Sequence, residues 1–285
     1  VSDLWSVEHG EALECLAKLG DETVQALVTD PPYASGGFKE VERARGSAMI
    51  SHEGEQRMGW FSGDAMGTSG LVWLLRSVAV QASRVLRDDG HLLVFCDWRM
   101  IASLLPALES SGLRNRNLLI WEKESVGMGS GFRPMHECCL HLTKGTGKYY
   151  AADTGNVSKC RRVPGAQKEH PTEKPADLMR SIVRVVAGPG DLVVDPFCGS
   201  GQTGVAAVRL GCRFYGIERD ARFVPVSRER LAAAASAVDR RSPVQVVRAA
   251  QVELFGGGGD DAGSREDGGD DEGDGQAHDE AEARA

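Results

Sequence analysis

Short apolar runs alternate with amphipathic stretches from residue 4 to about residue 238, and several of those runs stop at an acid. "ALVTD" (26–30), "HLLVFCD" (91–97), "RNLLIWEK" (116–123), "LVVDPF" (192–197) and "RFYGIE" (213–218) have the length of buried strands. "LWSVEHGEAL" (4–13) reads as a strand that turns at Gly10 into a short helix, and "CCLHLTK" (138–144) as a further strand. Helices are expected at about 71–87, with Leu71, Leu74, Leu75, Val78 and Val85 near one face, and at about 99–111. Another opens in "TEKPADLMRSIVRVVAG", with Pro175 in its first turn and Gly188 as its cap. Two more follow Gly201 and span about 220–238, and Asp88-Asp89-Gly90 is expected to turn the chain into the 91–97 strand. Strands alternating with helices predict a doubly wound α/β fold on a mostly parallel sheet.

The acidic balance of the chain is a local matter. Residues 256–285 hold eleven acids against Arg265 and Arg284, so they carry -9 of the net -8 and leave +1 for residues 1–255. That tail has no apolar side chain larger than alanine and is expected to be disordered, as a solubilising extension rather than a nucleic-acid mimic. A polyanionic partner for the body is therefore not excluded. Seven cysteines with no C-x-x-C pair argue against a disulfide framework and a zinc site, and Cys138 and Cys139 read as buried thiols. His136 and His141 lack a carboxylate partner at metal spacing, so no metal is expected. Without a signal segment or a bilayer-length apolar run, the protein is expected to be soluble and cytoplasmic.

Two strand ends carry the chemistry. "DPFCGSG" (195–201) places Gly199 and Gly201 where a backbone can approach a ligand closely, and Glu218 ends the next strand, where a carboxylate can accept from both ribose hydroxyls. On its own this glycine pattern also fits a nicotinamide dinucleotide, and with it an oxidoreductase. "TDPPY" (29–33) puts a carboxylate, two rigid residues and an aromatic ring at the other strand end.

Taken together, these segments resemble the amino-methylating (N6-adenine/N4-cytosine) DNA methyltransferases, in the circular order with the catalytic motif first. "TDPPY" resembles their catalytic motif, "DPFCGSG" their S-adenosylmethionine loop, "HPTEKP" (170–175) the segment before it, and "GMGSGFRPMHE" (127–137) a stretch of the same group. The resemblance covers roughly residues 3–235. It implies a seven-stranded methyltransferase sheet, S-adenosylmethionine as cofactor and double-stranded DNA as partner. By analogy Asp195, Phe197, Gly199 and Gly201 line the cofactor pocket and Glu218 binds the ribose. Lys174 faces the cofactor's carboxylate end, and Glu11 lies near its adenine.

On the same resemblance Asp30 and the Pro31 carbonyl accept the two hydrogens of an exocyclic amine, Pro32 helps hold the loop, and Tyr33 stacks on an extruded base. The aspartate form of the motif favours adenine-N6, with cytosine-N4 the alternative. An RNA or protein-amide methyltransferase would use a similar loop. Residues 1–255 would form the methyltransferase domain. Within it, 34–70 reads as a mobile insertion and 145–168 as a target-recognition insertion, with Arg133, Arg161 and Arg162 as DNA contacts. A restriction endonuclease partner, a phage origin, a free-standing role and a homodimer are all compatible with this reading.

Overall fold

In the computed structural model, residues 4–32, 67–126, 130–161 and 173–239 are described. Their elements are β1 (Trp5–His9), α1 (Ala12–Ala17), β2 (Val24–Thr29), α2 (Thr68–Val85), β3 (Leu86–Cys96) and α3 (Ile101–Glu109). There follow β4 (Arg114–Glu122), β5 (His136–Thr143), β6 (Val157–Lys159), α4 (Ala176–Val186), β7 (Leu192–Asp195), α5 (Gln202–Arg209), β8 (Arg213–Glu218) and α6 (Phe223–Asp239). The strands form one eight-stranded sheet in the order β1-β8-β7-β2-β3-β5-β4-β6. Only β5 runs against its neighbours: its pairings with β3 and β4 are antiparallel, and the other five are parallel.

The alternation of side chains along each strand explains why helices cover both faces. Ala26, Val28, Leu93 and Phe95 point into a core shared with α4, α5 and α6. Leu27, Leu92, Val94 and Cys96 point the other way, into a core shared with α1, α2 and α3. The α2 stripe recurs at Leu71, Leu75, Val78, Ala82 and Val85, all buried. Cys138 and Cys139, neighbours on β5, go to opposite cores as free, buried thiols.

Several expectations are corrected here. The sheet has eight strands because Val157–Lys159, within the expected 145–168 insertion, pairs with β4. Asp88-Asp89-Gly90 does not precede β3 but lies inside it. The strand starts at Leu86 opposite Val24, and the register then slips so that His91 faces Ala26. Pro175 is the N-cap of α4 rather than a residue of its first turn, and Ala187 is the C-cap. Gly188 serves packing instead, since a Cβ there would lie 2.4 Å from the Tyr150 ring. The expected mobile segment at 34–70, apart from 67–70, and the acidic tail lie outside the described residues.

From β2 the chain moves outward to β3, whereas from β7 it moves the opposite way to β8. The β2–β7 boundary is thus the switch point of the sheet, the place beyond whose strand ends doubly wound sheets bind their ligands. Asp30 and Asp195 stand at that boundary.

Candidate active site

β2 is buried at every position and ends in Thr29, the one hydroxyl in an apolar run. The Thr29 hydroxyl donates to Asp195 Oδ1 at 2.7 Å, across the switch point. Asp195 is 2% exposed and also accepts from the Thr203 hydroxyl at 2.6 Å and from the Phe197 N–H at 3.1 Å. Burial pushes this carboxyl up to about 6, against the Thr203, Thr29 and Phe197 donors, which favour its ionised form. Asp195 therefore acts inward, as the fastening of the glycine loop. Phe197 is partly buried, packed on the α1–α3 side of the sheet.

The loop closes through backbone groups. The Cys198 N–H donates to the Ile217 carbonyl at 2.9 Å, and the Gly199 N–H to Glu218 Oε2 at 2.7 Å. Glu218 Oε1 takes the Asp220 N–H at 2.7 Å, so one carboxylate spans the loop and the end of β8. Burial raises the Glu218 carboxyl, and the two N–H groups oppose that shift. Gly201, the N-cap of α5, has φ +84°, and a Cβ there would also lie 3.0 Å from Ser227 Cβ. A backbone cradle beside a half-buried carboxylate with lone pairs to spare fits the nucleoside part of a cofactor. Glu11 lies near this corner: Gly10 donates to the Glu218 carbonyl, while the exposed Glu11 pairs with Arg219 at 3.0 Å.

Beyond β2, Pro31 is buried and borders an apolar recess with Leu71, Leu75, Phe95, Met100 and Leu104. Asp30 Oδ2 lies 2.5 Å from Lys174 Nζ. That ammonium is 5% exposed, reaches Glu137 Oε2 at 3.1 Å, and sits 5.0 Å from the centre of the Phe95 ring. Glu137 pairs in turn with Lys123 at 2.5 Å. Burial alone would lower Lys174, but Asp30 and Glu137 outweigh it and hold it above the ordinary lysine value. For Glu137 burial is likewise overcome by Lys174 and Lys123, which hold it below the ordinary carboxylate value.

Residues 24–229 match the family model described as DNA methylase, of the N6/N4 methyltransferase type. The chain belongs to that family. N6/N4 methylases take their methyl group from S-adenosylmethionine. The Type II methyltransferase M2.DpnII of Streptococcus pneumoniae is 29% identical over 251 residues, which cover 79% of this chain and 88% of the relative. Two solved structures share the fold. The M1.HpyAVI–SAM complex has a TM-score of 0.59 at 22% identity, covering 80% of this chain and 98% of its own. The cytosine-N4-specific PvuII DNA methyltransferase has a TM-score of 0.62 at 18% identity, covering 83% and 92%.

Of the residues expected at the methylase site, Asp30, Pro31 and Pro32 stand at one strand end, and Asp195, Phe197, Gly199 and Gly201 at the next. Glu218 and Glu11 flank the second group. Lys174, expected at the cofactor's carboxylate end, has its ammonium between Asp30 and Glu137. A long side chain rooted before α4 reaches two buried anions, Asp30 after β2 and Glu137 in β5. Tyr33, His170 and Arg162 lie outside the described residues. Arg133 is exposed, and Arg161 is exposed while paired with Glu124 at 3.1 Å. His141 belongs to a buried pair with His91, Nε2 to Nδ1 at 3.0 Å. Among the described residues no group of three or more His, Cys, Asp or Glu could hold a metal ion, and no helix is long and apolar enough to cross a membrane.

Thr29, Thr203, Glu137 and Lys123 were not singled out in the sequence. A lone hydroxyl inside "ALVTD" and another in "GSGQTG" were the available signals for the first two. Glu137 and Lys123 had none, because their pairing depends on β4 and β5 lying side by side.

Proposed function

We propose that this DNA methylase transfers a methyl group from S-adenosylmethionine to the exocyclic N6 amine of adenine in duplex DNA, after the base has been flipped out of the stack. The observation that carries the reading is the contact of the two strand ends. Thr29, next to Asp30, is hydrogen-bonded to Asp195 at the root of the glycine loop, so amine acceptor and cofactor cradle are neighbours.

An exocyclic amine is a weak nucleophile because its lone pair is delocalised into the ring. Asp30 and the Pro31 carbonyl accept its two hydrogens and let the nitrogen lone pair turn toward the methyl carbon. Pro31 and Pro32 hold that loop before substrate arrives, so part of the orientational cost is met by the fold. Tyr33 stacks on the extruded base. Gly199 and Gly201, with Asp195 and Phe197, shape the cofactor pocket, Glu218 accepts from the ribose hydroxyls, and Glu11 lies toward the adenine. Bound S-adenosylmethionine supplies an electrophilic methyl on a sulfonium. Arg133 and Arg161 supply phosphate contacts, and target recognition falls to 145–168, to 34–70 or to both.

The aspartate at position 30 supports adenine over cytosine. The test is incubation of the full chain with methyl-labelled S-adenosylmethionine and unmethylated duplex DNA, followed by nucleoside analysis. Label in N6-methyladenine is expected, and label in N4-methylcytosine would keep the chemistry and overturn the base. Asp30→Asn should lower kcat by about 10²- to 10⁴-fold while cofactor binding persists. Label in RNA or protein alone would overturn DNA as substrate.

A further inference from the structure

Four charged side chains from four elements meet beside the reaction loop. Asp30 follows β2, Lys174 precedes α4, Glu137 lies in β5 and Lys123 follows β4. In sheet order β3 separates β2 from β5, and the Lys174 ammonium lies over Phe95 of β3. It bridges the intervening strand, 2.5 Å from Asp30 Oδ2 on one side and 3.1 Å from Glu137 Oε2 on the other. Lys123 holds the far oxygen of Glu137 at 2.5 Å. Lys174 is 5% exposed and Glu137 19%.

Buried ion pairs seldom stabilise a fold more than apolar packing of equal volume, because desolvating both charges is expensive. Two cations and two anions here therefore call for a role beyond stability, and they converge on the carboxylate that would bind the substrate amine. We propose that Lys174, seated by Glu137, is the positioning residue of Asp30, fixing one carboxylate oxygen and keeping the group an anionic acceptor when a base covers it. A carboxylate is planar, so holding Oδ2 fixes the direction of Oδ1. A stacked base would strip water from Asp30 and favour its protonated form, in which one oxygen no longer accepts. The adjacent ammonium opposes that change. Glu137 shares the ammonium and limits its pull, and Lys123 keeps Glu137 ionised and in place.

The inference rests on Asp30 as the amine acceptor. Other groups near the cluster are Asp195, whose charge acts on Asp30, the Cys139 thiol, and Asp97 beside Lys123. None of them changes in the variants that follow.

The test follows the Asp30 carboxyl by carbon-13 NMR in the cofactor-free full chain, assigned by its loss in Asp30→Asn. Lys174→Gln is expected to raise its titration midpoint by about one to three pH units, and Glu137→Gln to lower it. The acid limb of the kcat profile for DNA methylation should move in the same two directions, while S-adenosylmethionine affinity stays within about threefold by calorimetry. Midpoints that stay put, or move together, overturn the proposal. A loss confined to cofactor affinity also overturns it and places Lys174 on the cofactor. Should Lys174→Gln fail to fold, Glu137→Gln decides alone: a lowered midpoint supports the proposal and an unchanged one sinks it. Opposite shifts in a protein that methylates no DNA would uphold the charge arrangement and overturn the amine-acceptor reading instead.

Discussion

Thr29 and Asp195 are the pair of residues on which the two halves of the site depend. Asp195 is buried with three donors, and its carboxyl is already pushed up to about 6. Replacing Thr29 with valine keeps the shape and removes one donor, leaving a buried acceptor under-satisfied at a cost of about 1–3 kcal/mol. Thr29→Val is thus expected to lower the unfolding free energy from denaturant titration by that amount and to weaken S-adenosylmethionine binding in calorimetry. If neither changes, the hydroxyl does not hold the loop. At this scale the sequence was legible where a residue type has one plausible task. A carboxylate before two prolines, and glycines after a strand-ending aspartate, announced themselves. The partners of Lys174 were not legible, because a lysine's reach is set by which buried anions the fold brings near it, and Glu137 acquires its partner only through β5.

Among the elements, α5 shows how closely helices must lie on this sheet. A Cβ on Gly204 would stand 2.5 Å from the Phe214 ring of β8 and 2.8 Å from Leu231 of α6. Gly204→Ala should then destabilise by about 1–3 kcal/mol through overpacking, although alanine is the better helix former. A thermal melt lowered by about 2–4 °C per kcal/mol would register it, and an unchanged melt would mean that the helix can shift outward. The strands and helices that were read correctly are those with a full apolar stripe, such as α2 and β2. β6 was missed because Val157–Lys159 has no apolar alternation and owes its existence to the edge of β4. The opening of β3 was missed for a similar reason: Asp88-Asp89-Gly90 has turn chemistry, and only the flanking pairs with β2 reveal it as an irregularity within a strand.

For the molecule as a whole, the buried histidines set an acid limit. The Lys148 carbonyl accepts from His91 Nε2 at 2.7 Å, so His91 Nδ1 accepts from His141 Nε2, and the pair is neutral. Burial, then His91 and Arg116, push His141 down to about 4, and burial also lowers His91. Because the folded values lie below the ordinary 6.5, the unfolded chain binds protons more readily. The stability of these groups is therefore complete above pH 6.5 and is lost as pH falls toward 4. Asp195, raised in the fold, acts in the opposite sense between about 6 and 3.8. His141→Gln should remove about 2 kcal/mol of the difference in unfolding free energy between pH 7 and pH 4.5, measured by denaturant titration. An unaltered difference would assign the acid limit elsewhere. The bond from Thr29 to Asp195 also bears on motion. A fluctuation that lifts the glycine loop draws the neighbouring carboxylate with it, a coupling that NMR relaxation would register as correlated exchange at the two strand ends. On the proposed function, the span to be crossed by the methyl group would thereby be kept constant as the two strand ends move together.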